Sequence, residues 1–318
     1  MTNVGASAPL QVILDCDPGH DDFVAIAVAA RFTDLVAVTT VAGNAALAMT
    51  THNALLALQL LGHPAPVHRG ASRPLIEDPY HYPQIHGDSG LGGPRLPPVT
   101  RRPSDTSALE CLIESSRAVS DLWVIATGPL TNLALAIRAD PGIIERLAGI
   151  SIMGGGLAFG NVSAAAEFNF WADPHAAAIV LSSGIRCLLA PLDVTHQFLV
   201  TDADADKLRA GATTLSVLTA DLFDYFIGAY SPIFFGRRQA PLHDPLAVLH
   251  VTHPELFEDH LLAIEIALQG PARGMMIADR RSAPETASPN SSVALGVDSD
   301  SARALILESI LRPTSRDA

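Results

Sequence analysis

Four aspartates crowd one short stretch of the chain, Asp15, Asp17, Asp21 and Asp22 in DCDPGHDD. Two kinds of chemistry call for carboxylates this close together. Acidic groups at a helix N-terminus are stabilised by free N–H groups and the macrodipole, by about 0.3–1 kcal/mol each, which accounts for one or two of them. Beyond that number, like charges a few ångströms apart repel unless they are protonated or share a cation, and hard oxygen ligands select Mg²⁺ or Ca²⁺ over zinc. The cluster therefore predicts a metal site.

The elements around the cluster say how it is held. QVIL before it is a short apolar run, Pro18-Gly19 supplies a tight bend, and FVAIAVAARF after it carries apolar residues at helical spacing. This is strand, turn, helix. A second strand, LVAVTTV, runs into Gly43-Asn44 and the helical ALAMTTHNALLALQLL, which Gly62 and Pro64 end. DLWVIAT, GISIMGG, IRCLLA and HLLAIEIAL are further buried-strand candidates, interleaved with helical LTNLALAIRA and DPHAAAIVLSS. The alternation predicts an α/β fold, one domain over 1–318 with a mostly parallel central sheet flanked by helices. In such sheets ligands bind outside the carboxyl ends of the strands, which brings Thr127, Met153 and the GGGLAFGN loop toward the aspartates. Two segments read as irregular: Pro79 to Ser104, long enough for a lid or binding loop, and SAPETASPNSS after Arg281.

Composition excludes several functions. A net charge of -13 and a pI near 5.2 disfavour nucleic-acid polymers, whose phosphates are bound by basic faces. The single lysine, Lys207, leaves Schiff-base and P-loop chemistry almost without candidates. Cys16, Cys111 and Cys187 are odd in number and widely spaced, which fits a reducing cytoplasm better than a disulfide framework or a zinc site. The N-terminal MTNVGASAPL lacks the pattern of an export signal, and no long apolar run predicts a membrane span.

DCDPGHDD after the first strand resembles the DxDPGxDD signature of the inosine-uridine preferring nucleoside hydrolase family. The resemblance extends in order along the chain through TTVAGN, ATGPLTN, GNVSAAAEFNFWADPHAA and PLHDPLAV. It implies a Rossmann-like nucleoside hydrolase fold and an N-glycosyl hydrolase of nucleoside salvage or catabolism, which releases base and ribose from a small ribonucleoside. It also implies a homodimer or homotetramer. The implied cofactor is Ca²⁺, held by Asp17, Asp22, Asp244 and the backbone carbonyl of Thr127, with Asp21 as the general base toward a calcium-bound water. Asp15 is then a supporting residue. Asn161, Glu167 and Asn169 are implied for the ribose hydroxyls, Met153 and Phe168 for the sugar pocket, and Asn44 for orienting the aspartates or the sugar.

Cleavage passes through an oxocarbenium-like sugar and needs a proton for the departing base. His243, directly before Asp244, is the implied donor, and it resembles the inosine-uridine group more than the purine-specific group, which stacks the base on aromatic rings. His86 in QIHGDSG matches a loop histidine near the base. The stretch DLFDYFIGAYSPIFFGRRQ matches the family's base-recognition helix less closely and offers Tyr225 and Tyr230 as base contacts. Two alternatives stay open: a nucleoside- or ribose-binding protein without turnover, and a Mg²⁺-dependent phosphohydrolase of the haloacid dehalogenase type, whose paired aspartates DCD also resembles.

Overall fold

The computed structural model describes residues 9–230, 232, 237–281 and 287–312. Its centre is an eight-stranded sheet. β1 (Gln11–Cys16) is buried from Val12 onward, and its side chains alternate between two apolar layers: Val12, Leu14 and Cys16 on one face, Ile13 on the other. A strand covered on both faces needs the near-continuous apolar run seen in the sequence. α1 (His20–Phe32) is buried all the way from His20 to Ala30, so it has no polar stripe to show to water.

β2 (Asp34–Thr40) pairs with β1 in parallel, Asp15 opposite Thr39, and α2 (Leu47–Leu60) follows before β3 (Val67–Arg69) extends that side. The chain then returns: β4 (Leu122–Ala126) lies on the other side of β1, Asp15 opposite Ala126, and β5 (Leu147–Met153) and β6 (Cys187–Ala190) continue outward. Strand order therefore reverses between β1 and β4. A crevice opens at such a switch point, beyond the carboxyl ends of the strands, and the aspartate turn sits there.

The sheet is completed by Ser291–Val297, parallel to β6, and by Phe257–Leu262, antiparallel at the edge. This corrects the expectation for HLLAIEIAL. Instead of one buried strand, it is the end of a half-exposed edge strand, with Leu261 71% exposed, and then a separate pairing of Ile264–Ile266 with Met276–Ala278. Asn290 explains the break, since its side chain accepts from the Ile264 N–H and donates to the Ile264 carbonyl, taking both groups from the main ladder. The stretch SAPETASPNSS lies partly outside the described residues, at 282–286, and its last two serines open the strand Ser291–Val297. Residues 79–104 hold one short helix, Pro83–His86, and otherwise run without regular structure.

Candidate active site

The carboxylates sit on backbone supplied by the strand ends. Asp15, still within β1, accepts from Thr39 Oγ1 (2.5 Å) and Asn132 Nδ2 (2.7 Å); burial pushes its carboxyl up to about 6 against those two bonds. Asp22 accepts four hydrogen bonds, from the N–H groups of Asp17 (3.3 Å) and Gly19 (2.9 Å), from Asn44 Nδ2 (3.1 Å) and from Thr127 Oγ1 (2.8 Å). Its bond from Gly19 is a helix-capping bond, so capping does account for one of the four aspartates. Asp17 accepts from the Asn44 N–H at 2.6 Å and lies between two glycines. A Cβ on Gly43 would fall 2.0 Å, and one on Gly128 2.6 Å, from its carboxylate oxygens.

Asp244 opens the helix Asp244–Thr252 and reaches the same spot. Asp21, Asp22 and Asp244 present carboxylate oxygens all within 4.8 Å of one another, and all are buried. Burial foremost, then the neighbouring Asp22, lifts the Asp21 carboxyl to about 8. Asp244 is pushed well up by burial and then by Asp21, Asp22 and Asp17. Asp17 is likewise raised by burial first and then by Asp22. A group of buried carboxyls that cannot all ionise is what a cation relieves. Asp17 Oδ1 and Asp21 Oδ1 are buried without a hydrogen-bond partner, and the donors are all oxygen, so the residues fit a hard divalent ion.

Beyond the carboxylates, one pocket is lined by Asp21, Asn44, Thr127 and Met153, by Asn161, Glu167, Phe168 and Asn169, and by Tyr82, His86, Tyr230, His243 and Asp244. The GNVSAAAEFNF residues are fixed by backbone groups. Glu167 caps the helix Phe168–Ala172, accepting from Asn169 N–H (2.8 Å), Phe170 N–H (3.2 Å) and Gly155 N–H (2.9 Å), and burial raises its carboxyl to about 7. Asn161 accepts from the Phe168 N–H (2.9 Å). Asn169 donates to the carbonyls of Thr127 (2.8 Å) and Met153 (3.2 Å), joining the ends of β4 and β5.

Rings form the opposite wall. His243 Nδ1 lies 2.7 Å from Thr195 Oγ1 and Nε2 3.3 Å from the Tyr230 hydroxyl; burial holds this imidazole well below the usual histidine range, hence neutral. His196, itself lowered to about 4 by burial, packs its ring 5.4 Å from that of His243. Tyr225 stands one layer behind the pocket, stacked on His20 at 5.3 Å. Tyr82, which no sequence feature singled out, stacks on Phe168 at 5.9 Å and completes the lining. It sits in the irregular segment, where no periodicity tells an inward side chain from an outward one.

A parallel sheet with an acidic turn at its switch point and a polar pocket above it has a known counterpart. The family model "Inosine-uridine preferring nucleoside hydrolase" matches residues 12–304, and the chain belongs to that family, whose reaction is N-glycosyl hydrolysis. The chain is similar to the pyrimidine-specific ribonucleoside hydrolase RihA of Citrobacter koseri, 39% identical over 275 residues that cover 85% of this chain and 88% of that protein. Among solved structures it resembles the purine-preferring ribonucleoside hydrolase from Gardnerella vaginalis, with a TM-score of 0.89, 34% identity, and 95% and 98% of the two chains covered. It also resembles the plant nucleoside hydrolase PpNRh1, with a TM-score of 0.88 and 29% identity over 96% and 100% of the chains. Among the described residues no helix is long and apolar enough to cross a membrane.

Proposed function

We propose that this protein is a calcium-dependent ribonucleoside hydrolase that releases free base and ribose, with Asp21 as the general base. The observation that carries this is the meeting of the buried group Asp21, Asp22 and Asp244 with a pocket also lined by Asn44, Asn161, Glu167, Asn169, His86 and His243. Asp17, Asp22, Asp244 and the Thr127 carbonyl would hold the ion. When bound, calcium supplies an oxygen-seeking Lewis acid that acidifies water and gathers hydroxyl ligands.

Asp21 is the proton acceptor. Its Oδ1 is buried without a partner and the side chain lines the pocket, so an attacking water can give up its proton there. Asn161, Glu167 and Asn169 hold the ribose hydroxyls. Their backbone bonds fix them before substrate arrives, so little ordering is left to be done on binding. Met153 and Phe168 line the sugar. His243 faces the departing base; it is neutral in the free protein, so proton donation is coupled to the negative charge that builds on the base as the bond breaks. Three buried free cysteines support a reducing, cytoplasmic setting, and we extend the proposal to a homodimer or homotetramer, as the family resemblance implies.

The test is ribose release from inosine, uridine, cytidine, adenosine and guanosine, with and without chelator. Release that EDTA abolishes and Ca²⁺ restores is expected, and the same panel reads the base preference. Nucleoside binding without release, in protein shown to contain calcium, would instead mark a binding protein.

A further inference from the structure

Asn53 lies on α2, buried, and has no part in the site described so far. Its side-chain nitrogen donates to backbone in two separate segments, to the Pro18 carbonyl at 2.9 Å and to the Ser89 carbonyl at 2.8 Å. Pro18 is the bend of the aspartate turn, between Asp17 and the pair Asp21 and Asp22, and Ser89 lies three residues past His86 in the irregular segment. A carbonyl oxygen only accepts, so the amide can face these two groups only with its nitrogen. Its Oδ1 is then turned away, buried and without a hydrogen-bond partner among the described residues. A bare buried acceptor costs stability, and a leucine would fill a similar space without that cost. The two donated bonds are therefore the reason for an amide here.

What they hold is a small closed loop. The Gly92 N–H donates to the His86 carbonyl at 2.9 Å and the Gly90 N–H to the Gly87 carbonyl at 3.1 Å, with Leu91 buried beneath. Gly90, at φ +80°, is pressed against the bonded groups: a Cβ there would stand 2.9 Å from Asn53 Nδ2 and 3.0 Å from the Pro18 carbonyl oxygen. His20 adds contacts from the turn to both ends of the loop, donating its backbone N–H to His86 Nδ1 (3.4 Å) and placing Nε2 3.0 Å from the Gly92 carbonyl oxygen. Asn53 holds the middle of the loop from a third element and joins it to the bend itself.

We propose that Asn53 is a positioning residue that couples the ion-binding turn to the wall of the pocket. When Asp17 and Asp22 close on an ion, the Pro18 bend between them is fixed, Asn53 passes that order to the loop 86–92, and His86 is set in place for the nucleoside. The proposal rests on the reading above for the ion and the substrate, while the coupling can be judged without turnover.

Hydrogen exchange of the Gly87, Gly90 and Gly92 amides, measured on the full chain with and without saturating Ca²⁺ and without nucleoside, reads the coupling. In the wild type Ca²⁺ is expected to slow exchange by about tenfold. Asn53→Leu is expected to bind calcium still but to show no such slowing. Gln59→Met is the control, because Gln59 lies on the same helix and ties it to the same irregular segment, through the Pro98 carbonyl (3.0 Å) and the Thr100 N–H (2.8 Å), at a place away from the turn. It is expected to keep the wild-type response. In turnover, Asn53→Leu should raise KM for the best nucleoside of the panel by about tenfold, with kcat changed by less than about twofold, and Gln59→Met should leave both as they are.

A wild type that binds calcium without slower loop exchange overturns the proposal and leaves the hydrolase reading standing. So does an Asn53→Leu protein that keeps the calcium response, or a Gln59→Met protein that loses it. A wild type that takes up no calcium fails the calcium reading instead, and the link is then judged on ion-free exchange, which Asn53→Leu must speed and Gln59→Met must not. If Asn53→Leu does not fold, Gly90→Ala pries the same contact apart from the loop side; loss of the calcium response there supports the coupling, and its survival overturns it.

Discussion

On the carboxylate side of the pocket, Asp15 and Asp22 each receive hydrogen bonds from groups at or just past the ends of β1, β2 or β4. On the ring side, Tyr82 and His86 flank and end the one short helix of the irregular segment, His243 precedes the helix Asp244–Thr252, and they touch their neighbours mainly through rings and single side-chain bonds. A strand end in a parallel sheet is fixed by two neighbours, whereas a ring contact tolerates rotation and exchange. With the roles proposed above, the activation of water falls on the rigid half, and the recognition of the base and the proton for it fall on the adaptable half. The chain's likeness both to a pyrimidine-specific and to a purine-preferring hydrolase fits that division.

If the division holds, the largest effect comes from the rigid half. Asp21→Asn is expected to lower kcat by about 10²–10⁴-fold, the usual contribution of a general base, with little change in calcium content or circular dichroism. A variant that keeps wild-type kcat would remove Asp21 from the chemistry. His243→Ala should cost roughly 10²-fold on natural nucleosides but far less on a riboside with a nitrophenolate leaving group, which departs without a proton. Equal losses on both substrates would make His243 a structural residue.

Stability should follow the carboxylates too. Asp21, Glu167 and Asp15 are raised to about 8, 7 and 6, so the ion-free folded protein binds more protons than the unfolded chain, whose carboxyls titrate near 4. Their contribution is fully present below about pH 4 and is lost as pH rises through those values. Thermal melting of the ion-free protein is expected to fall by about 5 °C between pH 5 and 8, and saturating Ca²⁺ to flatten that slope. A melting temperature that climbs over this range without ion would show the cluster to be ionised and stabilising by itself. The smallest effect belongs to the adaptable half: Tyr82→Ala should raise KM by about threefold to tenfold and leave kcat nearly unchanged, a split that steady-state kinetics resolves.

The same contrast explains what could be read from the sequence. The residues of the rigid half lie in contiguous motifs at strand ends, where an apolar run, a bend and a cluster of carboxylates all point to one place. Placing β1, β2, β4 and β5 placed Asp15 to Asp22, Thr127 and Met153 with them. The ring half gave less, because its contacts join distant segments: Tyr82 meets Phe168 across the pocket, and His20 meets Gly92 and His86. Tyr225 and Tyr230 lie in one helix, yet only Tyr230 lines the pocket, since five residues along a helix turn the side chain to another face. The end of the edge strand Phe257–Leu262 reads as one strand with Ile264–Ile266 because HLLAIEIAL is mostly apolar, and the Asn290 bonds that divide the two come from further along the chain.

Gly43 and Gly128 perform no chemistry, yet each leaves only the room of a hydrogen atom beside Asp17. For a lineage exploring new substrates, these two positions are closed in every direction, because even alanine drives a methyl into a carboxylate. Tyr82 and His196 instead meet Phe168, Phe159 and His243 through ring contacts, which other aromatic or apolar side chains can make. Drift in this protein is therefore channelled: sequence can wander along the ring wall and change what is recognised, while the aspartate turn has no neighbouring sequence to wander to.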